Sequence, residues 1–194
     1  LYMTGTLIMD GGDVTSTEAK TDYQVQVPIG PACFSSGTWT ASESADVVFV
    51  TREPANTTEY YSLPIIVPSR TTALKGAKLK SVTAVVTLGG TLDTTNDDFE
   101  INIIKVTTPV DGSAPVGSVL AGDSGDDYPT AQNTKAKRLT SATHTFVVSI
   151  PDDEQAFAAS GEQYYVRIKI KDNANADLTC VLKGIVAQFD MNVL

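Results

Sequence analysis

The stretch Tyr164-Tyr165-Val166-Arg167-Ile168-Lys169-Ile170-Lys171 alternates polar and apolar side chains with a period of two after its first residue. A strand places successive side chains on opposite faces, so Val166, Ile168 and Ile170 share one side while Tyr165, Arg167, Lys169 and Lys171 share the other. A helix would scatter the same residues around its circumference. The segment predicts a half-buried strand, and the grammar recurs along the chain. Alternating or β-branched runs cover Tyr23 to Val27, Asp46 to Arg52, Tyr60 to Val67, Leu79 to Leu88, Phe99 to Val106, His144 to Ile150 and Leu178 to Phe189. Between them lie turn-forming clusters such as Gly89-Gly90, Asp111-Gly112 and Asp172-Asn173-Ala174-Asn175. The doubled Ile103-Ile104 predicts a bulge or a strand with two apolar environments.

Eight strand candidates in 194 residues fit one large β-sandwich, and 42% hydrophobic residues with 19% charged residues are enough to build a core. One short helix is expected over Asp152 to Ala159, where acidic residues open the first turn and Gly161 stands ready to stop it. The stretch from Asp111 to Leu139 reads as a long exposed loop holding a small hairpin or strand around Val116 to Leu120. Residues 1–55 are less regular, broken by Asp10-Gly11-Gly12-Asp13 and Phe34-Ser35-Ser36-Gly37-Thr38, and are expected to form an arm or a first set of strands. No fixed-period repeat is visible.

The chain holds 14 basic and 23 acidic residues, a formal charge of −9, which opposes contact with nucleic acid or an anionic membrane surface. No apolar run approaches the roughly 20 residues of a membrane-spanning helix. Leu1-Tyr2-Met3-Thr4 does not begin a basic and then apolar targeting segment. Arg52, Arg70, Lys75, Lys78, Lys80, Lys135, Lys137 and Arg138 read as solvated surface charge, or as complementary charge between subunits. Cys33 and Cys180 are expected as buried free thiols; one bridge between them is the alternative.

Catalytic motifs fail on inspection. Gly122-Asp123-Ser124-Gly125 matches the nucleophile tetrapeptide of chymotrypsin-like proteases, but the only histidine, His144, follows the serine instead of preceding it. The pairs Asp97-Asp98, Asp126-Asp127 and Asp152-Asp153 are adjacent acids in turns, whereas glycoside hydrolysis needs two carboxyls flanking one bond. Oxygen clusters suited to calcium are Asp93, Asn96, Asp97 and Asp98; Asp123, Asp126 and Asp127; and Asp172, Asn173, Asn175 and Asp177. The last is the nearest to a calcium loop, yet it lacks the sixth-position glycine and the distal glutamate. Solvated turns are the expectation for all three, and no cofactor is expected. Asn56-Thr57-Thr58 fits a glycosylation acceptor and reads as an exposed turn after Pro54.

Tyr61-Ser62-Leu63-Pro64, Gly76-Ala77-Lys78-Leu79-Lys80-Ser81-Val82, Glu162-Gln163-Tyr164-Tyr165-Val166-Arg167-Ile168 and Leu182-Lys183-Gly184-Ile185-Val186-Ala187-Gln188-Phe189-Asp190 together resemble the grammar of jelly-roll virion structural proteins of tailed bacteriophages, of the head decoration, cement and fibre-base type. The resemblance spans residues 59 to 190 and has no diagnostic motif. It implies an antiparallel jelly-roll-like β-sandwich over residues 56–194, an irregular arm over residues 1–55 that docks, and self-association as a trimer with a major capsid or other virion protein on the capsid surface. The function expected on this basis is a non-enzymatic capsid decoration or minor shell subunit. The alternative is a carbohydrate-binding or adhesive β-sandwich module, with Trp39, Tyr60 or Tyr128 as platforms. A filament or surface-layer subunit is a third reading.

Overall fold

The computed structural model describes residues 20–29, 34–67, 74–155, 158–159, 161–173 and 177–193. Among them eleven strands form two antiparallel sheets. The first sheet runs β3 (Trp39–Ser44), β4 (Val47–Arg52), β11 (Thr179–Val193), β6 (Leu74–Gly89), β9 (Ala142–Ser149), with β1 (Lys20–Val27) also on β11. The second runs β2 (Phe34–Ser36), β5 (Thr58–Ile65), β10 (Glu162–Lys171), β7 (Asp98–Thr107), β8 (Val116–Ala121). The all-β sandwich expected from the alternation is therefore the observed architecture. Each of the eight expected runs falls on a strand, four of them overrunning it by one or two residues, and the small strand expected near Val116 is β8.

The strand β11 is the spine of the first sheet. One edge pairs with β6 along its length; the other pairs with β4 through Cys180–Leu182 and then with β1 through Ile185–Asn192, so β4 and β1 lie end to end. Between Leu182 and Gly184 the register shifts, and the buried positions change phase from Leu178, Cys180 and Leu182 to Ile185, Ala187 and Phe189. In β6 Lys80 is the extra residue, and the buried set changes from Ala77 and Leu79 to Val82, Ala84, Val86 and Leu88. A period-two pattern can change phase only where one residue is inserted, so these bulges keep both long strands facing one core. The doubled isoleucine lies in a strand that keeps its phase and has two environments. Ile103 faces the core, Ile104 faces outward, and the register with β8 shifts between them, leaving Leu120 as the extra residue.

Residues 20–29 and 34–55 of the expected arm supply β1 to β4 and so contribute to both sheets; residues 1–19 lie outside the described residues. The helix expected over Asp152 to Ala159 is described only in part. Asp152 to Glu154 form a turn, with Glu154 and Gln155 both donating to the carbonyl of Pro151, and Ala156 and Phe157 lie outside the described residues. Ala158 N–H donates to the carbonyl of Ala77 on β6 at 3.5 Å. The single α-helix among the described residues is α1 (Lys135–Arg138), capped by the Thr134 hydroxyl, which accepts from Lys137 N–H.

One charged cluster ties the sheets together. Arg52 on β4 is fully buried, correcting the surface reading given to it. Its Nε lies 3.1 Å from Glu59 Oε2 on β5, and its Nη1 lies 3.0 Å from Asp172 Oδ2, just past β10. The same guanidinium donates to the carbonyls of Leu178 and Ala55, both at 2.7 Å. Cys180, the described cysteine, is free and buried, and desolvation pushes its thiol pKa well above the ordinary value; Cys33 lies outside the described residues.

Candidate functional site

The calcium candidates are engaged by the fold. Asp172 Oδ2 accepts from both Arg52 and Ala55 N–H, Asp177 Oδ2 accepts from Thr91 N–H, and Asn173 N–H donates to Asp97 Oδ1. Asn175 lies outside the described residues. Asp97 Oδ2 also accepts from Asp93 N–H at 2.7 Å, closing the turn before β7. The Asn96 side chain, followed by Thr95 N–H, holds the Asp93 carboxyl below the usual range. Among the described residues no three His, Cys, Asp or Glu side chains converge on a common point.

The protease-like tetrapeptide has a structural role. The Ser124 hydroxyl caps a single 3-10 turn at Gly125–Asp127, and Asp127 Oδ2 accepts from Gly122 N–H and Ser124 N–H. His144 Nε2 lies 2.8 Å from the carbonyl of Thr140 and 3.1 Å from its hydroxyl. Neither residue is arranged as half of a nucleophile and base pair with the other.

Of the three aromatic platforms expected, two face inward. Trp39 packs on Tyr61, ring centres 5.0 Å apart. Tyr128 is buried; its hydroxyl accepts from Ile101 N–H at 2.9 Å and lies 3.0 and 3.1 Å from the carbonyl oxygens of Ile101 and Gly122, to which it donates. Burial raises its pKa to about 12. Arg138 lies over the Tyr128 ring at 4.6 Å and donates to the carbonyl of Phe99 at 3.1 Å. Together the two side chains cover the edge of β7 beyond the end of β8, an edge that would otherwise expose unpaired backbone.

Tyr60 alone faces outward, and it opens a groove of about 460 Å³ on the outer face of the five-stranded sheet. The register explains how the lining is assembled from four strands. Phe34 on β2 lies opposite Ser62 on β5, and Ser62 lies opposite Arg167 on β10. One pleat further along, Tyr165 is opposite Ile104 of β7, and Val106 completes that end. Directly paired residues point to the same side, so these side chains form one surface.

Tyr60 is opposite Lys169, four residues from Tyr165 on the same strand, which sets the backbone positions of the two tyrosines about 14 Å apart at the usual rise per residue. Arg167 stands between them, its guanidinium 5.3 Å from the Tyr60 ring centre. Its Nε and Nη2 donate to Asn102 Oδ1 at 3.3 and 3.0 Å. Next to it Lys169 is held by Asp98 and Glu100, at 3.2 and 3.0 Å. Phe34 is 56% exposed, an unusual state for a large apolar side chain on a sheet face and one suited to contact with a ligand. The arrangement offers flat apolar rings with one cationic donor at the centre, and its volume lies in the range of small-ligand sites.

Sequence reasoning reached Tyr60 and missed Phe34, Ser62, Ile104, Val106, Tyr165 and Arg167. The signal available was Tyr165 itself, an aromatic residue on the otherwise charged face of an alternating strand. No protein-family model matches the chain, and no curated protein matches it. Among solved structures, it is similar to a xylan-binding module CBM15, at 16% identity over 87% of this chain and 97% of that one, with a TM-score of 0.41. It is also similar to a family 11 carbohydrate-binding module from Clostridium thermocellum in complex with a β-1,3-1,4-mixed-linked tetrasaccharide, at 11% identity over 91% and 92%, TM-score 0.32. A third similarity is to a family two carbohydrate esterase from Cellvibrio japonicus, at 10% identity over 90% of this chain and 36% of the other, TM-score 0.39.

Proposed function

We propose that this chain is a non-catalytic carbohydrate-binding β-sandwich, and that a saccharide chain lies along the outer-face groove. The observation that carries the reading is the pair of half-exposed tyrosines, Tyr60 and Tyr165, on adjacent strands with exposed Phe34 beside them. Sugar rings present flat C–H faces and a hydroxyl rim. Rigid aromatic platforms bury the faces at low entropy cost, and polar groups between the platforms fix the orientation. The spacing of the two rings suits an extended chain more than a single sugar. Calorimetric titration with a panel of soluble plant and microbial polysaccharides tests it: wild type binds at least one, and Tyr165→Ala and Tyr60→Ala each weaken that binding about tenfold or more, the range of a buried interface anchor. Absence of binding across the panel, or unchanged affinity in both variants with the fold intact, refutes it.

A second reading, self-association as a virion shell subunit, is favoured by one feature. In the β3–β4 hairpin Val47 and Val48 are 53% and 43% exposed, and β4 pairs with β11 only through Val50 to Arg52, so the outer part of the hairpin is a two-stranded ribbon. Such a ribbon is marginal in water on its own. Sedimentation of the purified chain decides: a trimer supports this reading, and a monomer at high concentration sinks it.

A further inference from the structure

We infer that the ligand of the outer-face groove carries a carboxylate, as in a uronic-acid-containing saccharide, and that Arg167 is the residue that recognises it. The inference rests on the carbohydrate reading and specifies its chemistry.

The adjacent cation on this face already has anionic partners: Lys169 is held by Asp98 and Glu100. Among the described residues Arg167 has no carboxylate partner: two of its N–H groups go to the neutral carbonyl of Asn102, and the others make no hydrogen bond there. Among the described residues no Asp or Glu lines the groove, although the chain has 23 of them and a formal charge of −9. A cation kept free of acids at the centre of a concave surface is a recognition group for an anion.

The support beneath Arg167 points the same way. Asn102 is 1% exposed, and turning its carbonyl oxygen to the guanidinium leaves its buried Nδ2 with no partner. An orphaned buried donor is costly, and an arginine held only for packing would not require it. What the arrangement secures is the orientation of the guanidinium plane. Asn102 fixes one side and the Tyr60 ring supports its face, leaving a planar fork that matches a carboxylate through two parallel bonds. Because Arg167 stands between Tyr60 and Tyr165, an acidic sugar would sit there with its neighbours over the rings.

The test is titration of the intact chain with polygalacturonate, glucuronoxylan and alginate, each beside its carboxyl-reduced neutral form and a sulfated neutral polysaccharide. At least one uronate polymer should bind tenfold or more tightly than its reduced form at low salt, with the advantage shrinking as salt is raised. Arg167→Gln should erase that preference while leaving residual binding to the reduced chain, and Arg167→Lys should restore only part of it. Equal binding of the acidic and reduced forms, an unchanged preference in Arg167→Gln, or a preference for the sulfated chain overturns the inference but leaves the carbohydrate reading standing. Binding to none of the polymers overturns both.

Discussion

Replacing Arg52 with methionine removes the single cation that serves two buried carboxylates on different parts of the fold. The side chains of Glu59 and Asp172 are 2% and 1% exposed, so neither has water to fall back on. Breaking one buried ion pair by deleting a partner costs about 3–5 kcal/mol, and here two anions lose the same partner. The carbonyl of Leu178 loses its guanidinium donor as well, and that of Ala55 keeps only Thr57 N–H. A loss of about 4–6 kcal/mol follows, reaching above the single-pair range because two anions lose one partner, while relaxation and water entry at the Ala55 side offset the rest. In a chain of this length each kcal/mol moves the midpoint by about 2–4 °C, so thermal unfolding should show a drop of roughly 8–24 °C. A triple variant, Arg52→Met with Glu59→Gln and Asp172→Asn, leaves no buried charge and should recover a substantial part of that loss. The reasoning fails if Arg52→Met costs less than about 1 kcal/mol, or if the triple variant is no more stable than the single one.

Gly122 has φ +101, and an added Cβ would lie 1.8 Å from the carbonyl oxygen of Ile101; Gly122→Ala should therefore cost about 2 kcal/mol or more in urea unfolding, combining left-handed backbone strain with displacement of β7. The Tyr128 pKa is raised above its unfolded value to about 12. Its stabilising contribution is thus complete below about pH 10 and lost as pH climbs to about 12, which unfolding curves across that window would show and Tyr128→Phe would flatten. For Glu162, burial pushes the carboxyl pKa upward, but hydrogen bonds from Ala159 N–H and Tyr164 and the charge of Lys105 together hold it below the usual value. Its contribution is therefore present above the unfolded pKa of 4.5 and lost as pH falls below it. Glu162→Gln should make the acid limb of the stability curve shallower.

Where local alternation determines structure, the sequence was readable: β7 and β10 announce themselves through buried isoleucines at every second position. The phase changes at Lys80 and Lys183 were also present in the letters, as a shift from odd to even positions at the first and from even to odd at the second. Strands β2 and β3 were not readable, because nearly every side chain from Phe34 to Ser44 is at least partly exposed and Ser, Thr and Glu there carry no apolar period. α1 is a single turn, too short to show a helical pattern. Arg52 looked like surface because a lone arginine at a strand end gives no sign that Glu59 and Asp172 will close around it. The groove was invisible for a related reason. Its residues come from four strands, and only the pairing of β2, β5, β10 and β7 brings Phe34, Tyr60, Arg167 and Ile104 onto one surface.

The central position of β11 also sets the timetable on which the molecule can form. β1 ends at Val27, yet its partner residues begin only at Ile185, and β4 and β6 need the same strand. On the ribosome, three strands must wait with one edge open until the fifteen-residue β11 has emerged. Ladder formation across such sequence distances is slow, and open edges are sticky during the delay. A ribosome-bound chain stopped before Thr179 should thus be protease-sensitive throughout the first sheet, and release of the following residues should close it in one cooperative step.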